Sequence, residues 1–375
     1  MSPLTTLASQ AEVHPPHRRA PLDLPPFRPH PLFRGGHAQT VAGCYLPWRR
    51  IAYRAVQHLV PLPDEDKIVL HDDCPEDWKA GDPVVLMVHG LGGCHQSGYM
   101  QRGMIKLTHL GIRVFRMDLR GCGAGFSHAR HTIHAGRSED AAAALAYVIG
   151  LCPQSPVHMA AYSMGANIAL KMAGEFGDQP PPELASLMAV APPIDLVACS
   201  QSIQLGWNRL YDQSFVVGLL RHLRRRAAQV PNAITRQFNP RPRRLIDFDN
   251  QFTAPLAGFA TALAYYEGAS SAPLLRRIAV PTLIVAAASD PIVPIEPFER
   301  ATYSDTTELV VTPCGGHLGF VGQSGDDPDR RWIDWRLIEW VTSHAPQRAP
   351  APFHARPTAH AVPAASAFTE STSSR

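Results

Sequence analysis

Ser163 has the sequence surroundings of a nucleophilic serine. It is the central residue of AYSMG, residues 161–165, and stands between an apolar run that predicts a strand at 157–161 and a stretch that predicts a helix at 164–174. A serine on such a sharp strand-to-helix turn needs small residues two positions before and after it, because the backbone doubles back tightly. The usual pattern is G-x-S-x-G, from which Ala161 departs by one methyl group. A serine that only caps a helix is the simpler alternative.

A general base must accompany this serine, because a serine hydroxyl attacks a carbonyl near neutral pH only when its proton is removed. His317 is the candidate base. It lies in CGGHLG, residues 314–319, directly after a predicted strand at 309–312. The glycines on both sides give its loop a backbone that can aim an imidazole into a cleft. The alternative is an ordinary loop histidine.

Asp290 is the candidate acid that would orient the imidazole. It follows the apolar run 281–287, whereas its rival Asp195 follows a predicted strand at 185–190. Some proteins with this arrangement carry the acid at the earlier strand, so Asp195 is the second choice. Asp290 has the alternative role of capping a helix near 296–303. The favoured prediction is a triad of Ser163, His317 and Asp290.

Two backbone N–H groups are predicted to stabilise the negatively charged oxygen that forms when serine attacks a carbonyl. One belongs to Met164, the residue after the nucleophile, and the other to Leu91. Leu91 lies in HGLGG, residues 89–93, at the end of a predicted strand at 84–88. A phosphate-binding loop is the alternative, but no G-K-[ST] follows the glycines and G-x-G-x-x-G does not match.

The chain must fold into an element pattern that brings these distant residues together. From residue 84 onward, short apolar runs alternate with helix-like stretches, which predicts an α/β protein with a mostly parallel central sheet flanked by helices. The predicted strands are 84–88, 113–117, 157–161, 185–190, 281–287 and 309–312, and the clearest predicted helices are 138–149, 164–174 and 332–341. In open sheets of this kind, ligands bind at the carboxyl ends of the strands.

The domain organisation follows from breaks in this alternation. Thirteen of the 36 prolines fall within residues 1–31 and 346–375, so we expect disordered tails at both ends. The alternation of predicted strands and helices stops between residues 196 and 279, where no strand is predicted. We therefore expect a helical cap inserted over the carboxyl edge of the sheet. Residues 32–195 and 280–345 would then form the core.

Charge and composition limit the class of partner. A net charge of +3 is too small for a general nucleic-acid binder, and no apolar run reaches the ~18 residues of a membrane span. The seven cysteines include no C-x-x-C pair, which predicts that they are reduced thiols. The amino terminus shows no secretory signal, so the expected location is the cytoplasm. His128, His131 and His134 have regular spacing but are expected to be loop residues rather than zinc ligands. No metal and no cofactor are predicted.

Two features of the insertion bear on its partners. Residues 221–244 contain eight arginines and no acid, namely Arg221, Arg224, Arg225, Arg226, Arg236, Arg241, Arg243 and Arg244. The simpler interpretation is that these arginines lie on a solvated helix face and loop. The functional alternative is that they make peripheral contact with anionic lipid headgroups or bind an acidic substrate. Leu219-Leu220, the segment 252–259 and Tyr265-Tyr266 supply enough apolar surface for an acyl chain, although such aromatic residues often serve packing alone.

The motifs together resemble the YheT-like group of the α/β-hydrolase superfamily, which includes plant embryogenesis-associated proteins and animal abhydrolase-domain lipases. The resemblance spans about residues 35–341 and rests on GHAQT (36–40), HGL (89–91), SGY (97–99), RGCG (120–123), YSMGAN (162–167), FD (248–249), YY (265–266), DP (290–291) and GGHLGF (315–320). Ala161 stands where the group usually has glycine. GCHQ, residues 93–96, replaces a more serine-rich stretch.

This resemblance implies an α/β-hydrolase fold, a Ser163–His317–Asp290 charge relay and hydrolysis of carboxylic esters through an acyl-enzyme. The substrates it suggests are short- or medium-chain esters, monoacylglycerols or phospholipids. Two other functions remain open on the sequence alone. The same fold could bind a small ligand without hydrolysing it, or the same triad could transfer the acyl group to an alcohol, which depends on how well the cap excludes water.

Overall fold

A computed structural model describes residues 24–48, 51–234 and 241–345 of the chain. Within these ranges one sheet contains eight strands: β1 Val56–Pro61, β2 Lys67–Asp73, β3 Val84–Val88, β4 Arg113–Asp118, β5 Val157–Tyr162, β6 Leu184–Val190, β7 Thr282–Ala287 and β8 Thr307–Thr312. Their spatial order is β1-β2-β4-β3-β5-β6-β7-β8. β1 pairs antiparallel with β2 and β2 with β4, whereas all neighbours from β4 to β8 pair parallel. The predicted α/β fold class is confirmed.

Helices cover both faces of the sheet, so the central strands β3, β5 and β7 are fully buried and rich in apolar residues. The helices are α1 Gly36–Tyr45, α2 Gly98–Thr108, α3 Ser138–Leu151, α4 Met164–Phe176, α5 Leu196–Ser202, α6 Arg209–Gln229, α7 Leu245–Phe248, α8 Ala254–Leu256, α9 Ala262–Ala269, α10 Glu296–Arg300 and α11 Trp332–His344. Side chains of α2 and α11 pack in the core on one face, and those of α3 and α4 pack in the core on the other.

The interval between β6 and β7 contains the predicted insertion. Within its described residues the chain forms α5 to α9, short 3₁₀ turns at Gly206–Asn208 and Ala272–Arg277, and one π-helical turn at Asp249–Thr253, but no strand. The longest helix, α6, has 21 residues. In the described part of the chain, no helix is both long enough and apolar enough to cross a membrane.

The amino-terminal boundary of the fold lies earlier than predicted. We expected a disordered tail through residue 31, but Phe27 is buried and contacts Phe320 and Trp332 edge-on, at ring distances of 5.6 and 5.5 Å. The Trp332 indole also donates a hydrogen bond to the Pro25 carbonyl, and Pro29 forms a bridge with Gly322. A single buried aromatic residue therefore anchors a proline-rich segment. The predicted tails at 1–23 and 346–375 lie outside the described residues.

Candidate active site

Ser163 adopts a backbone conformation that is rare for a residue with a side chain. Its φ of +54° and ψ of −125° place it on a sharp turn between β5 and α4. A Cβ atom on Gly165 would lie 2.3 Å from the His89 carbonyl oxygen, so only glycine fits there. Ala161 is fully buried, and its methyl group is accommodated. Strain of this kind persists where the surrounding fold enforces it, and it is concentrated at functional sites.

Three side chains from separate loops form a continuous hydrogen-bonded chain. Ser163 Oγ lies 2.7 Å from His317 Nε2, and His317 Nδ1 lies 3.0 Å from Asp290 Oδ2. His317 and Asp290 are both buried from solvent. Because Ser163 follows β5, Asp290 follows β7 and His317 follows β8, the three meet at the carboxyl edge of the parallel sheet. The structure thus brings together the three residues predicted as a triad.

The second oxygen of Asp290 is also held. Asp290 Oδ1 accepts the N–H groups of Ile292 and Val293, so the carboxylate is fixed while Oδ2 faces the imidazole. These contacts form a turn rather than a helix cap, because α10 begins only at Glu296. The rival acid Asp195 instead caps α5 by accepting the Ala198 N–H at 2.9 Å.

The two predicted oxyanion donors flank the serine. Leu91 and Met164 line the same pocket as Ser163 and His317. Met164 is the first residue of α4, so its N–H has no acceptor within the helix. Gly90 brings the Leu91 loop close, since a Cβ atom on Gly90 would lie 2.8 Å from Ser163 Cβ. The oxyanion role of Leu91 and Met164 remains a prediction.

A buried polar network beneath this loop was not foreseen. Asp118, at the end of β4, accepts the His95 N–H at 2.6 Å on one oxygen, and both His95 Nδ1 and His71 Nε2 lie within 2.9 Å of the other. Burial alone would raise the Asp118 pKa, but the hydrogen bonds from His71 and His95 outweigh it and hold the pKa well below its usual value. The network ties the loop after Gly93 to the sheet. No sequence motif links these three positions.

A second polar cluster lies away from the serine, where Asp64 and Asp66 meet His131. Both carboxylates accept hydrogen bonds from Arg120. Asp66 Oδ2 also accepts the His131 backbone N–H and lies 2.9 Å from His131 Nδ1. We expected His131 to be a loop residue rather than a zinc ligand, and the carboxylate that it meets, Asp66, comes from the distant turn before β2. Hydrogen bonds to arginine and imidazole account for the arrangement of this cluster and of the Asp118 network.

A mostly apolar pocket opens onto Ser163. It encloses about 1010 Å³, the solvent at its mouth included. Of the apolar residues singled out in the insertion, Leu219, Phe252, Tyr265 and Tyr266 line it. Leu220 is instead buried in a small core within the insertion. The pocket wall is therefore formed in large part by the inserted helices.

Besides His317, one carboxyl group and two imidazoles stand in the described pocket wall: Asp249, His134 and His222. Burial raises the pKa of Asp249 to about 6 and lowers those of His134 and His222 to about 3 and about 4, with neighbouring arginines adding to the two decreases. Near neutral pH both histidines are therefore uncharged. The Asp249 carboxyl, whose pKa lies below neutral pH, is the member of the three that carries charge there.

The arginine-rich segment is not one uniform surface. Arg226 is fully buried, and its guanidinium donates to the carbonyl oxygens of Phe126 and Ala129 at 2.6 and 2.5 Å. It fastens α6 to the loop after β4 and is unavailable to a ligand. Arg244 pairs with Asp247, and Arg236 lies outside the described residues. The exposed members on α6 are Arg221, Arg224 and Arg225.

Residues 83–323 match the sequence profile of the α/β hydrolase fold family. The match covers well over half of the chain and includes all three residues of the hydrogen-bonded chain. The chain therefore belongs to the α/β-hydrolase fold family. Solved structures agree: Est1E from Butyrivibrio proteoclasticus with bound ferulic acid superposes with a TM-score of 0.51 at 14% identity, covering 76% of this chain and 98% of that one. A 2,6-dihydroxy-pseudo-oxynicotine hydrolase gives 0.52 at 17% identity, covering 78% and 70%.

Sequence relatives narrow the placement within the family. YheT of Escherichia coli strain K12, named as a candidate esterase, is 28% identical over 85% of this chain and 93% of its own length. The human phospholipase ABHD3 is 26% identical over 64% of this chain and 59% of its own. Medium-chain fatty acid ethyl ester synthase/esterase 2 of Saccharomyces cerevisiae is 25% identical over 73% and 65%. The YheT-like resemblance and the predicted class of carboxylic ester hydrolase are confirmed.

Proposed function

We propose that this protein is a serine hydrolase that cleaves carboxylic esters of short or medium acyl chains through an acyl-enzyme. The observation that carries the proposal is the unbroken hydrogen-bonded chain from Ser163 through His317 to Asp290, placed at the floor of an apolar pocket. A serine that only capped a helix would not need a buried imidazole 2.7 Å from its oxygen.

Each group has a defined part in the reaction. His317 Nε2 takes the Ser163 proton while Oγ forms a bond to the ester carbonyl carbon, and the N–H groups of Leu91 and Met164 stabilise the resulting oxyanion. Asp290 holds the imidazole tautomer and stabilises the imidazolium. The imidazolium then gives its proton to the departing alkoxide, which leaves the acyl group on Ser163. Water, activated by His317, releases the acid and restores the serine.

The pocket favours an uncharged acyl chain. Apolar side chains, many of them from the insertion, make up most of its wall, and neither lysine nor arginine lines it among the described residues. Acylglycerols and phospholipids are candidate natural substrates, since both present such a chain on an ester.

A nitrophenyl ester series of increasing acyl length tests the proposal. The wild type should hydrolyse short and medium chains, and Ser163→Ala should lose on the order of 10³-fold or more in rate while remaining folded. Equal rates for the two proteins would refute it. The synthase activity in the name of the yeast relative makes acyl transfer the second candidate. Adding an alcohol and measuring the ratio of new ester to free acid separates transfer from hydrolysis.

We also propose that the outer face of α6 contacts an anionic lipid surface. Leu210 and Val217 are 59% and 46% exposed, and Trp207, just before the helix, is 78% exposed. Arg221 and Arg224 continue this exposed face toward the carboxyl end of α6. Apolar side chains that enter the interface, an indole and flanking arginines are the features of a helix that lies on a membrane. This face would hold the pocket close to lipid esters.

Vesicle sedimentation tests this contact. The wild type should bind vesicles that contain anionic lipid, and its binding should weaken with added salt. The double variant Arg221→Glu/Arg224→Glu should lose binding, while the matched pair Arg276→Glu/Arg300→Glu, on an exposed surface outside α6, should retain it. Equal binding by the two variants, or binding independent of salt, would refute the contact.

A further inference from the structure

Helix α1, which carries the GHAQT motif of residues 36–40, lies against both loops that supply the acid and the base. A Cβ atom on Gly36 would lie 1.7 Å from the Ser289 carbonyl oxygen, directly before Asp290. A Cβ atom on Gly316 would lie 2.4 Å from the Thr40 amide nitrogen. Backbone therefore meets backbone on both sides of the helix, and α1 sets the distance between the two loops.

Thr40 makes the one direct hydrogen bond between α1 and His317 among the described residues. Its Oγ1 accepts the His317 backbone N–H at 2.8 Å and donates to the Gly36 carbonyl at 2.8 Å. Thr40 is 5% exposed, so water does not replace this contact readily. The hydroxyl thereby fixes the amide plane at the residue whose imidazole faces Ser163.

Gln39 fixes the far end of the same loop. Its Oε1 accepts the Val321 N–H at 2.8 Å and its Nε2 donates to the Val321 carbonyl at 3.0 Å, so one fully buried amide side chain satisfies both backbone groups of one residue. Between these contacts, Gly316 and Gly319 exchange backbone hydrogen bonds across a tight turn that carries His317. The loop is held at both ends by consecutive residues of α1.

The helix also reaches the insertion. His37 Nδ1 lies 3.0 Å from the Tyr211 hydroxyl of α6, and the two rings are stacked 5.7 Å apart. Thus α1 contacts the loop of Asp290 through Gly36 and the loop of His317 through Gln39 and Thr40. Through His37 it contacts helix α6 of the insertion.

We propose that Thr40 is a positioning residue that aims the His317 imidazole, which is why a helix outside the sheet carries this motif. The inference rests on the proposed function of the Ser163 site. His317 must first accept a proton from Ser163 and then donate it to the leaving oxygen, and an imidazole that is rotated or displaced performs both transfers poorly. Proton donation matters most when the leaving group is a strongly basic alkoxide. Nitrophenolate departs without it.

The test compares Thr40→Val, which removes the hydroxyl at nearly constant volume, with Thr40→Ser, which retains it. Thr40→Val should lower kcat for an alkyl ester about 10- to 100-fold, with a smaller loss for the nitrophenyl ester of the same acid and little change in KM. Thr40→Ser should stay within about threefold of wild type for both substrates.

Thr108→Val is the matched control. The Thr108 hydroxyl, in α2, also donates to the carbonyl four residues earlier, as Thr40 does, but it makes no contact with the site. Thr108→Val should therefore lose about as much helix stability as Thr40→Val. It should retain the wild-type ratio of alkyl-ester to nitrophenyl-ester hydrolysis rates. If Thr40→Val does not fold, Thr40→Ala carries the same expectation because it removes the same oxygen without added bulk.

An unchanged ratio of alkyl to nitrophenyl rates in Thr40→Val would overturn the positioning role, and so would loss of folding in both Thr40→Val and Thr40→Ala, which would make Thr40 purely structural. A wild-type protein with no reactive Ser163 would instead refute the proposed function itself. The two failures are distinguishable, because in the first the wild type still hydrolyses both esters.

Discussion

Asp249 and Tyr266 share a hydrogen bond of 2.6 Å inside the wall of the apolar pocket, with the phenol as donor. The Thr253 hydroxyl donates to the other carboxylate oxygen at 2.6 Å. Asp249 opens the π-helical turn of the insertion, a kind of distortion that is frequent at functional sites. Burial raises its pKa to about 6 even though both donors favour the ionised form. The carboxyl therefore changes charge within the physiological range.

Asp249 should make the stability of the protein depend on pH. Since its folded-state pKa of about 6 exceeds the ordinary 3.8, its contribution is complete below the ordinary value and is lost as pH rises through about 6. Between about pH 4.5 and about pH 7.5, the unfolding free energy of wild type relative to Asp249→Asn should fall by about 2 kcal/mol. Urea unfolding at the two pH values measures this. Glu267→Gln, exposed on the same helix as Tyr266, should show no such trend, and a rise in the difference would contradict the assignment.

Gly165→Ala should disrupt the turn that carries the serine. The added methyl group would lie 2.3 Å from the His89 carbonyl oxygen, which is backbone and cannot move aside without displacing the Leu91 loop. We expect at least about a 10²-fold loss of esterase activity. Gly218→Ala is the control, because no atom of the described residues lies within 4 Å of its Cβ position in α6 and the substitution should stabilise the helix by about 0.5 to 1 kcal/mol. Full activity in Gly165→Ala would show that the turn relaxes.

Arg226→Met should loosen the insertion from the core. The change keeps an unbranched apolar stem but leaves the carbonyls of Phe126 and Ala129 without their donor, at a cost of about 2 to 4 kcal/mol. Arg225→Met changes the neighbouring, exposed arginine, whose guanidinium only lies 5.3 Å from the Phe126 ring, and should cost less than about 1 kcal/mol. Chemical denaturation compares the two. Similar losses in both variants would refute the anchoring role of Arg226.

The core strands and the residues Ser163, Asp290 and His317 could be predicted, because each can be recognised from a few neighbouring residues in the sequence. Short runs rich in apolar residues predict β3, β5 and β7, and the residues that follow such strands meet at one edge of a parallel sheet. Ser163, Asp290 and His317 could therefore be selected from the ends of predicted strands. The structure extends most predicted strands and helices by one or a few residues, since the ends of elements depend on contacts that distant residues provide.

The features that could not be predicted depend on contacts between residues that are far apart in the sequence. β2 ends in His71, Asp72 and Asp73, which look unsuited to a buried strand until Arg113 and Arg116 of β4 pair with the two aspartates. Helix α1 has little amphipathic pattern, because its purpose is close backbone contact with the loops around Asp290 and His317. Arg226 looked like a member of a solvated cluster, since only the fold brings four carbonyl oxygens to its guanidinium.

Labelling with a fluorophosphonate probe shows whether Ser163 is an activated nucleophile, because the reagent forms a covalent bond only with an activated serine. We expect that the wild-type protein is labelled, that mass spectrometry locates the adduct on Ser163, and that folded Ser163→Ala is not labelled. His317→Ala should be labelled at least about 10³-fold more slowly. A folded wild type that resists the probe, or a Ser163→Ala variant that reacts as fast as wild type, would contradict this expectation.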